Sequence, residues 1–146
     1  MRIRAAWIGK TKHSATRAWT DEYLGRLRGF SRWAAVTGEE LAGREPQAKL
    51  LERAESTRLW LCDPAGRSFT SPDFARFLER EAAAAGNGGL VIAVGGADGF
   101  SAPVQAAAAG KLSLGTLTFS HELARVILLE QLYRALAILS GHPYPH

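Results

Sequence analysis

The sequence predicts an α/β fold in which a mainly parallel sheet is covered by helices on both faces. Segments with the apolar pattern of strands alternate along the 146 residues with segments typical of helices, the order expected of a parallel sheet. The run LVIAV at 90–94 is apolar throughout, as in a strand that is covered on both faces. Residues 1–146 are expected to form a single domain, because this length suits one core.

The first half of the chain predicts three strands and two helices. In order, they are a strand at 2–8, a helix at 14–28, a short strand at 33–36, a helix at 46–54 and a buried strand at 58–62. In the first helix, Ser14 is expected to be the cap, and four residues are expected to face inward: Ala18, Tyr23, Leu24 and Leu27.

The second half predicts one further clear strand and three helices. In order, they are a turn at 63–66, a helix at 71–85, the strand at 90–94, a short helix at 101–109, an apolar segment broken by glycine at 112–119 and a long helix from Ser120 to about Leu139. In the helix that starts at 71, Ser71 is expected to cap and Pro72 to take the first helical position.

The last helix predicts a homodimer. Its sequence, LARVILLEQLYRALAIL, is apolar on nearly every side, and such a helix has to be buried on every side. In a chain this short, a second subunit is the expected cover. Glu130 and Arg134 are four residues apart and are expected to pair on this helix.

Composition favours an intracellular protein with an acidic partner. The formal net charge is +4, and basic residues gather near the start of the chain. No segment has the roughly 18 uncharged apolar residues that a membrane span needs. The apolar run at 5–8 is too short for a signal peptide, so a cytoplasmic location is expected. Cys62 is the only cysteine, which excludes an intrachain disulfide and a cysteine-rich metal site.

The motif VGGADGFS at 94–101 lies between a strand and a helix, where glycines allow a ligand to approach the backbone. It is neither a Walker loop nor a dinucleotide-binding fingerprint, since the required lysine and glycine spacing are absent. The chain also has no G-x-S-x-G and no H-E-x-x-H motif. No metal site is predicted, because the four histidines lack a ligand spacing backed by carboxylates. Those histidines stand at 13, 121, 142 and 146.

Three motifs together resemble the RlmH family of small SPOUT-class methyltransferases. They are GG-x-x-G-x-S from Gly95, L-x-x-x-H-x-L-x-R-x-x-L-x-E-Q-x-Y-R-A from Leu117, and H-P-Y from His142. The resemblance is close over 90–144. It implies a C-terminal trefoil knot, an obligate homodimer, and methylation of N3 of a pseudouridine in 23S ribosomal RNA of the assembled ribosome. It also implies S-adenosyl-L-methionine as the methyl donor.

The resemblance implies that loops around the knot hold this donor. Carried over by position, the cofactor residues are Cys62, Gly95, Leu114, Gly115, Thr116, Leu117, Thr118 and Phe119. Relatives usually have leucine where Cys62 stands. The segment at 37–59 is shorter than usual, and the terminus PYPH displaces His146 from its customary place.

Deprotonation of N3 calls for a general base or a nearby positive charge, and the sequence leaves four candidates open. They are Arg134, His142, Tyr144 and His146. The candidates for RNA contact are Lys10, Lys12 and Arg125, with Arg2 and Arg4 expected beside the two lysines on the basic surface. The alternative is a non-catalytic RNA-binding or ribosome-associated dimer, which would lack tight binding of S-adenosylmethionine.

Overall fold

The computed structural model describes residues 1–144. It contains five strands in one fully parallel sheet of order β2-β1-β4-β3-β5. The strands are β1 (Arg2–Ile8), β2 (Ala35–Leu41), β3 (Arg58–Arg67), β4 (Leu90–Val94) and β5 (Gly110–Leu112). The helices are α1 (Ser14–Leu27), α2 (Pro46–Ala54), α3 (Ser71–Ala85), α4 (Ala102–Ala107) and α5 (His121–Ser140). The predicted α/β class is confirmed.

Helices cover both faces of the sheet because the strand residues alternate between two cores. On β4, Leu90, Ile92 and Val94 belong to the larger core, whereas Val91 and Ala93 belong to the smaller one. The larger core receives α1, α3 and α5, and the smaller receives α2 and α4. All five residues of β4 are buried, as predicted for the run LVIAV.

The largest differences from the predicted boundaries are in β2 and β3. β2 runs from Ala35 to Leu41 and not from 33 to 36. The prediction missed most of it because β2 is an edge strand, and its polar residues hide the apolar pattern of a strand. β3 continues through 63–66, where a bulge separates Cys62 and Arg67, both of which pair with Leu112. The predicted turn is therefore part of a strand.

The caps and inner face of two helices also differ. Thr70, not Ser71, caps α3 and accepts a hydrogen bond from the Asp73 amide at 3.2 Å. His13, not Ser14, stands at the cap position of α1. The inner face of α1 carries Thr16 and Thr20, and Ala18 is exposed.

The last helix is only partly covered within one chain. Its side toward the larger core buries Leu128, Leu129, Leu132 and Leu136 almost completely. Its other side leaves Leu123 and Ile138 exposed by 58% and 43%. Within the single chain this side of the helix stays uncovered, and its burial by a second subunit stays a prediction.

Candidate functional site

A cleft of about 450 Å³ opens at the carboxyl edge of the sheet. The segments that follow β4 and β5 form it together with the bulged part of β3. In a parallel α/β sheet this edge is where ligands bind, because the loops that follow the strands meet there. We call this cavity the first cleft. Its lining includes Cys62, Gly95, Leu114, Gly115, Leu117, Thr118 and Phe119.

Seven of the eight residues named as cofactor contacts thus line a single cavity, although they come from three separate segments of the chain. The eighth, Thr116, is exposed and does not belong to the lining. Leu117 is 74% exposed, so this apolar side chain stands at the mouth of the first cleft.

The glycine loop, residues 95–101, forms one wall of the first cleft. The amide of Gly99 donates to the carbonyl of Gly96 at 3.1 Å, and Gly99 adopts a left-handed φ of +69° that favours glycine. A Cβ added to Gly95 would lie 3.2 Å from the Cα of Gly99. The wall therefore presents the backbone of its glycines to the cavity, and a side chain at Gly95 would force Gly99 to shift by a few tenths of an ångström.

Gln47 of α2 fixes the glycine loop from behind. Its Nε2 donates to the carbonyl of Gly99 at 2.9 Å, and its Oε1 accepts from the amide of Ser101 at 3.0 Å. Both ends of one amide are used, so the loop is held at two points. Sequence reasoning missed Gln47, since nothing in the α2 sequence indicates where its side chain points.

A serine hydroxyl shapes the opposite wall, formed by residues 113–119. The Oγ of Ser113 donates to the carbonyl of Gly115 at 2.8 Å and accepts from the Gly115 amide at 3.1 Å. Ser113 is buried, and its own amide donates to the carbonyl of Arg67 at 2.8 Å. This segment is thereby tied to the end of β3.

The side chains of the first cleft combine apolar groups with a few charges. Burial raises the pKa of the Cys62 thiol to about 12, so the thiol stays neutral and acts as an apolar contact. Asp63 and Lys111 lie 3.8 Å apart at the rim. Such a lining, mostly apolar with a few polar groups, is typical of a small-molecule site.

A second cleft, of about 760 Å³, lies beside the last turns of α5. Three catalytic candidates line it: Arg134, His142 and Tyr144. The structure thus brings these three together but separates them from the lining of the first cleft. A smaller cavity lies between the two clefts, since it shares Leu114 with the first and Gln131 with the second. The fourth candidate, His146, lies outside the described residues.

Glu130 organises the second cleft. Its Oε1 accepts from the Arg134 Nη2 at 2.7 Å, which confirms the expected pair, and from the Tyr144 hydroxyl at 3.2 Å. The Arg134 guanidinium also lies 4.5 Å from the centre of the Tyr144 ring. Burial, followed by contacts with Tyr23 and Glu130, raises the pKa of Tyr144 to about 12.

The whole chain matches the family model described as "Predicted SPOUT methyltransferase", over residues 1–146. A protein of Koribacter versatilis named ribosomal RNA large subunit methyltransferase H is 44% identical over 148 residues, which cover 99% of this chain and 97% of the relative. Proteins of the same name from Sorangium cellulosum and Geotalea daltonii are 40% and 38% identical, with full coverage of both chains.

The chain belongs to the RlmH family of SPOUT methyltransferases. This RlmH family member covers its relatives from end to end, so the resemblance seen in the three sequence motifs extends to the whole chain.

The basic residues of this RlmH family member divide between the two edges of the sheet. Lys10 and Lys12 are exposed at the carboxyl edge, in the segment 9–13 that we call the basic loop. Arg2 and Arg4 lie at the amino end of β1, where Arg4 pairs with Glu39 at 3.1 Å. A seven-residue strand is roughly 20 Å long, so Arg2 lies far from the basic loop. The expectation that Arg2 shares a surface with the two lysines is therefore wrong.

Arg125 does not lie on this basic surface. Its side chain is 0% exposed, and its guanidinium donates to the carbonyl of Ile8 at 3.0 Å and to the Thr11 hydroxyl at 3.2 Å. A side chain with no exposed area is not accessible to RNA, and the structure therefore disfavours the expectation that Arg125 contacts RNA directly.

No helix within residues 1–144 is long and apolar enough to cross a membrane. In the same range, no group of three or more His, Cys, Asp or Glu side chains is placed to hold a metal ion.

Proposed function

We propose that this chain transfers a methyl group from S-adenosyl-L-methionine to N3 of a pseudouridine in 23S ribosomal RNA. The observation that carries the proposal is the first cleft, in which seven family-implied cofactor residues from three segments line one cavity. The name of the relatives, ribosomal RNA large subunit methyltransferase H, supports ribosomal RNA as the substrate. The assembled ribosome in the cytoplasm is the proposed target.

The first cleft has features that fit the proposed donor. Its volume lies within the range of sites for small molecules, and the cradle at Gly95 exposes backbone groups that can bind a purine edge or a ribose. The neutral Cys62 thiol and the ring of Phe119 offer apolar contacts. When bound, the donor supplies an electrophilic methyl group on a sulfonium.

The chain's own contribution is to orient the uracil ring and to manage the proton on N3. With a pKa of about 12, Tyr144 keeps its proton at neutral pH, so it serves as a hydrogen-bond donor and not as the base. The Arg134 guanidinium can stabilise negative charge that develops on the deprotonated ring. His142 is exposed on the second cleft and stays a candidate for accepting the proton.

The proposal includes a single domain over residues 1–146, a trefoil knot and a homodimer formed through α5. The exposed apolar side chains of Leu123 and Ile138 on that helix support the dimer. Sedimentation should show a dimer for the wild type and a monomer for Ile138→Asp. Ala84→Asp, an exposed change on α3, is the matched control and should stay dimeric. A monomeric wild type would refute this part of the proposal.

Two measurements test the activity. Titration calorimetry should detect binding of S-adenosylmethionine, which a non-catalytic RNA-binding module would lack. Mass mapping of 23S RNA should find one methylated pseudouridine missing from a deletion strain and restored by the wild-type gene. An unchanged methylation pattern in the deletion strain would overturn the proposal.

A further inference from the structure

Acidic side chains of two neighbouring elements accept hydrogen bonds from the backbone of the basic loop. From α5, the Glu122 carboxylate accepts hydrogen bonds from the amides of Lys12 and His13, both at 3.2 Å. From the end of β2, the Glu40 Oε1 accepts from the amide of Thr11 at 3.0 Å. Three consecutive amides are thus bound to carboxylates, which restricts the backbone of the loop.

Arg125 adds a third anchor from the interior. Among residues 1–144 it is one of the largest fully buried side chains, and its Nε has no hydrogen-bond partner within this range. Burying a guanidinium without complete pairing is costly, so such a residue has to be explained by what it holds in place. Its two bonds go to Ile8 and Thr11, which bracket the start of the basic loop.

The hydroxyl of Thr11 joins the buried cation to an acidic anchor. It accepts a hydrogen bond from the Arg125 Nη1 at 3.2 Å and donates one to the Glu40 Oε1 at 2.6 Å. Thr11 is half-buried, whereas Lys10 and Lys12 on either side of it are exposed. The anchoring of Thr11 therefore sets the positions from which the two lysines project.

The basic loop also lies beside the first cleft. β1 and β4 are neighbours in the sheet, and a Cβ added to Gly96 of the glycine loop would lie 3.3 Å from the carbonyl oxygen of Ile8. An RNA backbone bound by Lys10 and Lys12 would therefore pass close to the cofactor residues.

We propose that Arg125 and Thr11 are positioning residues that fix the basic loop so that Lys10 and Lys12 meet RNA phosphates beside the first cleft. This inference rests on the proposed function for the identity of the substrate. Ordering a flexible segment at the moment of binding weakens affinity, and a loop that is ordered beforehand avoids that loss. Arg125 thus acts on RNA only through the loop.

The test compares Thr11→Val, which removes the hydroxyl at nearly constant shape, with Thr11→Ser, which keeps it. Thr11→Val should raise the dissociation constant for large ribosomal subunits about tenfold, as expected for the loss of one or two hydrogen bonds. It should also speed hydrogen exchange of the amides at 11–13, while the affinity for S-adenosylmethionine stays the same. Thr11→Ser should restore most of the subunit affinity and the exchange protection.

Thr57→Val is the matched control. The Thr57 hydroxyl donates to the carbonyl of Arg53 at 2.7 Å, far along the chain and next to the amino end of β3. The same substitution there removes a comparable hydrogen bond and should not change subunit affinity. Arg125→Met should reproduce the effects of Thr11→Val on subunit affinity and on exchange at 11–13, because it removes the hydrogen bonds to Ile8 and Thr11.

Three results with the variants would overturn the inference. The first is a normal affinity of Thr11→Val for large ribosomal subunits. The second is a reduced affinity with unchanged hydrogen exchange at 11–13, which would indicate that Thr11 contacts RNA directly. Equal loss in Thr11→Val and Thr57→Val would indicate only general destabilisation. A wild type that binds subunits but does not methylate them would refute the proposed function and leave the positioning test intact. A wild type that does not bind them would refute both.

Discussion

The basic loop and the glycine loop follow neighbouring strands at the same edge of the sheet, yet they are held in opposite ways. Charged side chains hold the basic loop: Glu40, Glu122 and Arg125. A neutral amide holds the glycine loop, because Gln47 bonds both Gly99 and Ser101. Two lysine side chains project from the first loop, whereas the second places the backbone of three glycines in the lining of the cavity.

The difference suits two kinds of ligand. A polyanion such as RNA is bound by cations that project from a fixed backbone, and the strength of that binding depends on salt. A small ligand that nestles against a wall needs close approach to backbone groups, which glycine permits. The Gln47 side chain, which we call the clamp, is neutral, so it holds this wall without adding a charge near the cavity.

The largest effect should come from closing the wall of the glycine loop. Gly95→Val should weaken binding of S-adenosylmethionine by about a hundredfold or abolish it, because the new Cβ would lie 3.2 Å from the Cα of Gly99 and force this wall of the first cleft to shift. Calorimetry measures the loss, and circular dichroism verifies the fold. Gly29→Val is the control, since a Cβ at Gly29 meets nothing within 4 Å. Normal binding by Gly95→Val would show that the cofactor lies elsewhere.

A smaller effect, confined to RNA, should follow charge reversal in the basic loop. Lys10→Glu combined with Lys12→Glu should raise the apparent KM for ribosomes about ten- to hundredfold without changing cofactor affinity. The slope of log affinity against log salt should fall by about two, as expected when two phosphate contacts are lost. Reversal of Arg44 and Lys49, which are also exposed, is the control. Equal effects of the two double variants would show that the basic loop contributes only through the net charge of the protein and not through contacts of its own.

A modest effect is expected from the clamp. Gln47→Met keeps the length of the side chain but removes both bonds to the glycine loop. At about 1 kcal/mol for each bond, cofactor affinity should fall about 5- to 30-fold. Affinity for ribosomes should not change in direct binding without cofactor. Lys49→Met on the exposed side of the same helix is the control. If both variants bind the cofactor alike, the clamp does not position the wall.

The sequence predicted the regular parts of this molecule well and the anchors poorly. The run at 90–94 is apolar because both of its faces are covered, so its pattern carries the structure. β2 has an open edge and carries Glu39 and Glu40, and its pattern was therefore hard to interpret. Buried charges such as Glu122 and Arg125 lie in an apolar helix whose sequence does not reveal the loop they hold.

The site followed the same division. The family resemblance identified residues of the first cleft because they lie in segments that match the family by position. Gln47 and Thr11 lie in no such motif. Their importance depends on a partner far away in the chain, which is the Gly99 carbonyl for Gln47 and the Glu40 carboxylate for Thr11, and only the folded structure brings these partners together. Arg125 was a candidate for RNA contact, and the structure buries it.

The smallest expected effect is a dependence on pH that the basic loop shows and the glycine loop does not. Burial tends to raise the pKa of Glu40 and of Glu122, but the hydrogen bonds that they accept outweigh it, so both pKa values lie below the usual 4.5. A carboxylate whose pKa is lowered by folding stabilises the protein above pH 4.5, and this contribution is lost as the pH falls through the lowered value. Gln47 has no titrating group and its clamp does not depend on pH.

Protection factors from hydrogen exchange, which correct for the intrinsic effect of pH, should therefore fall for residues 11–13 below about pH 4.5 while those of 99–101 stay constant. Glu40→Gln should reduce the pH response of the Thr11 amide, because the neutral amide at this position accepts a hydrogen bond without titrating. Circular dichroism has to show that the protein is still folded in this range. Parallel loss of protection in both loops would indicate global acid unfolding, and the charged anchors would then have no local role in holding the basic loop.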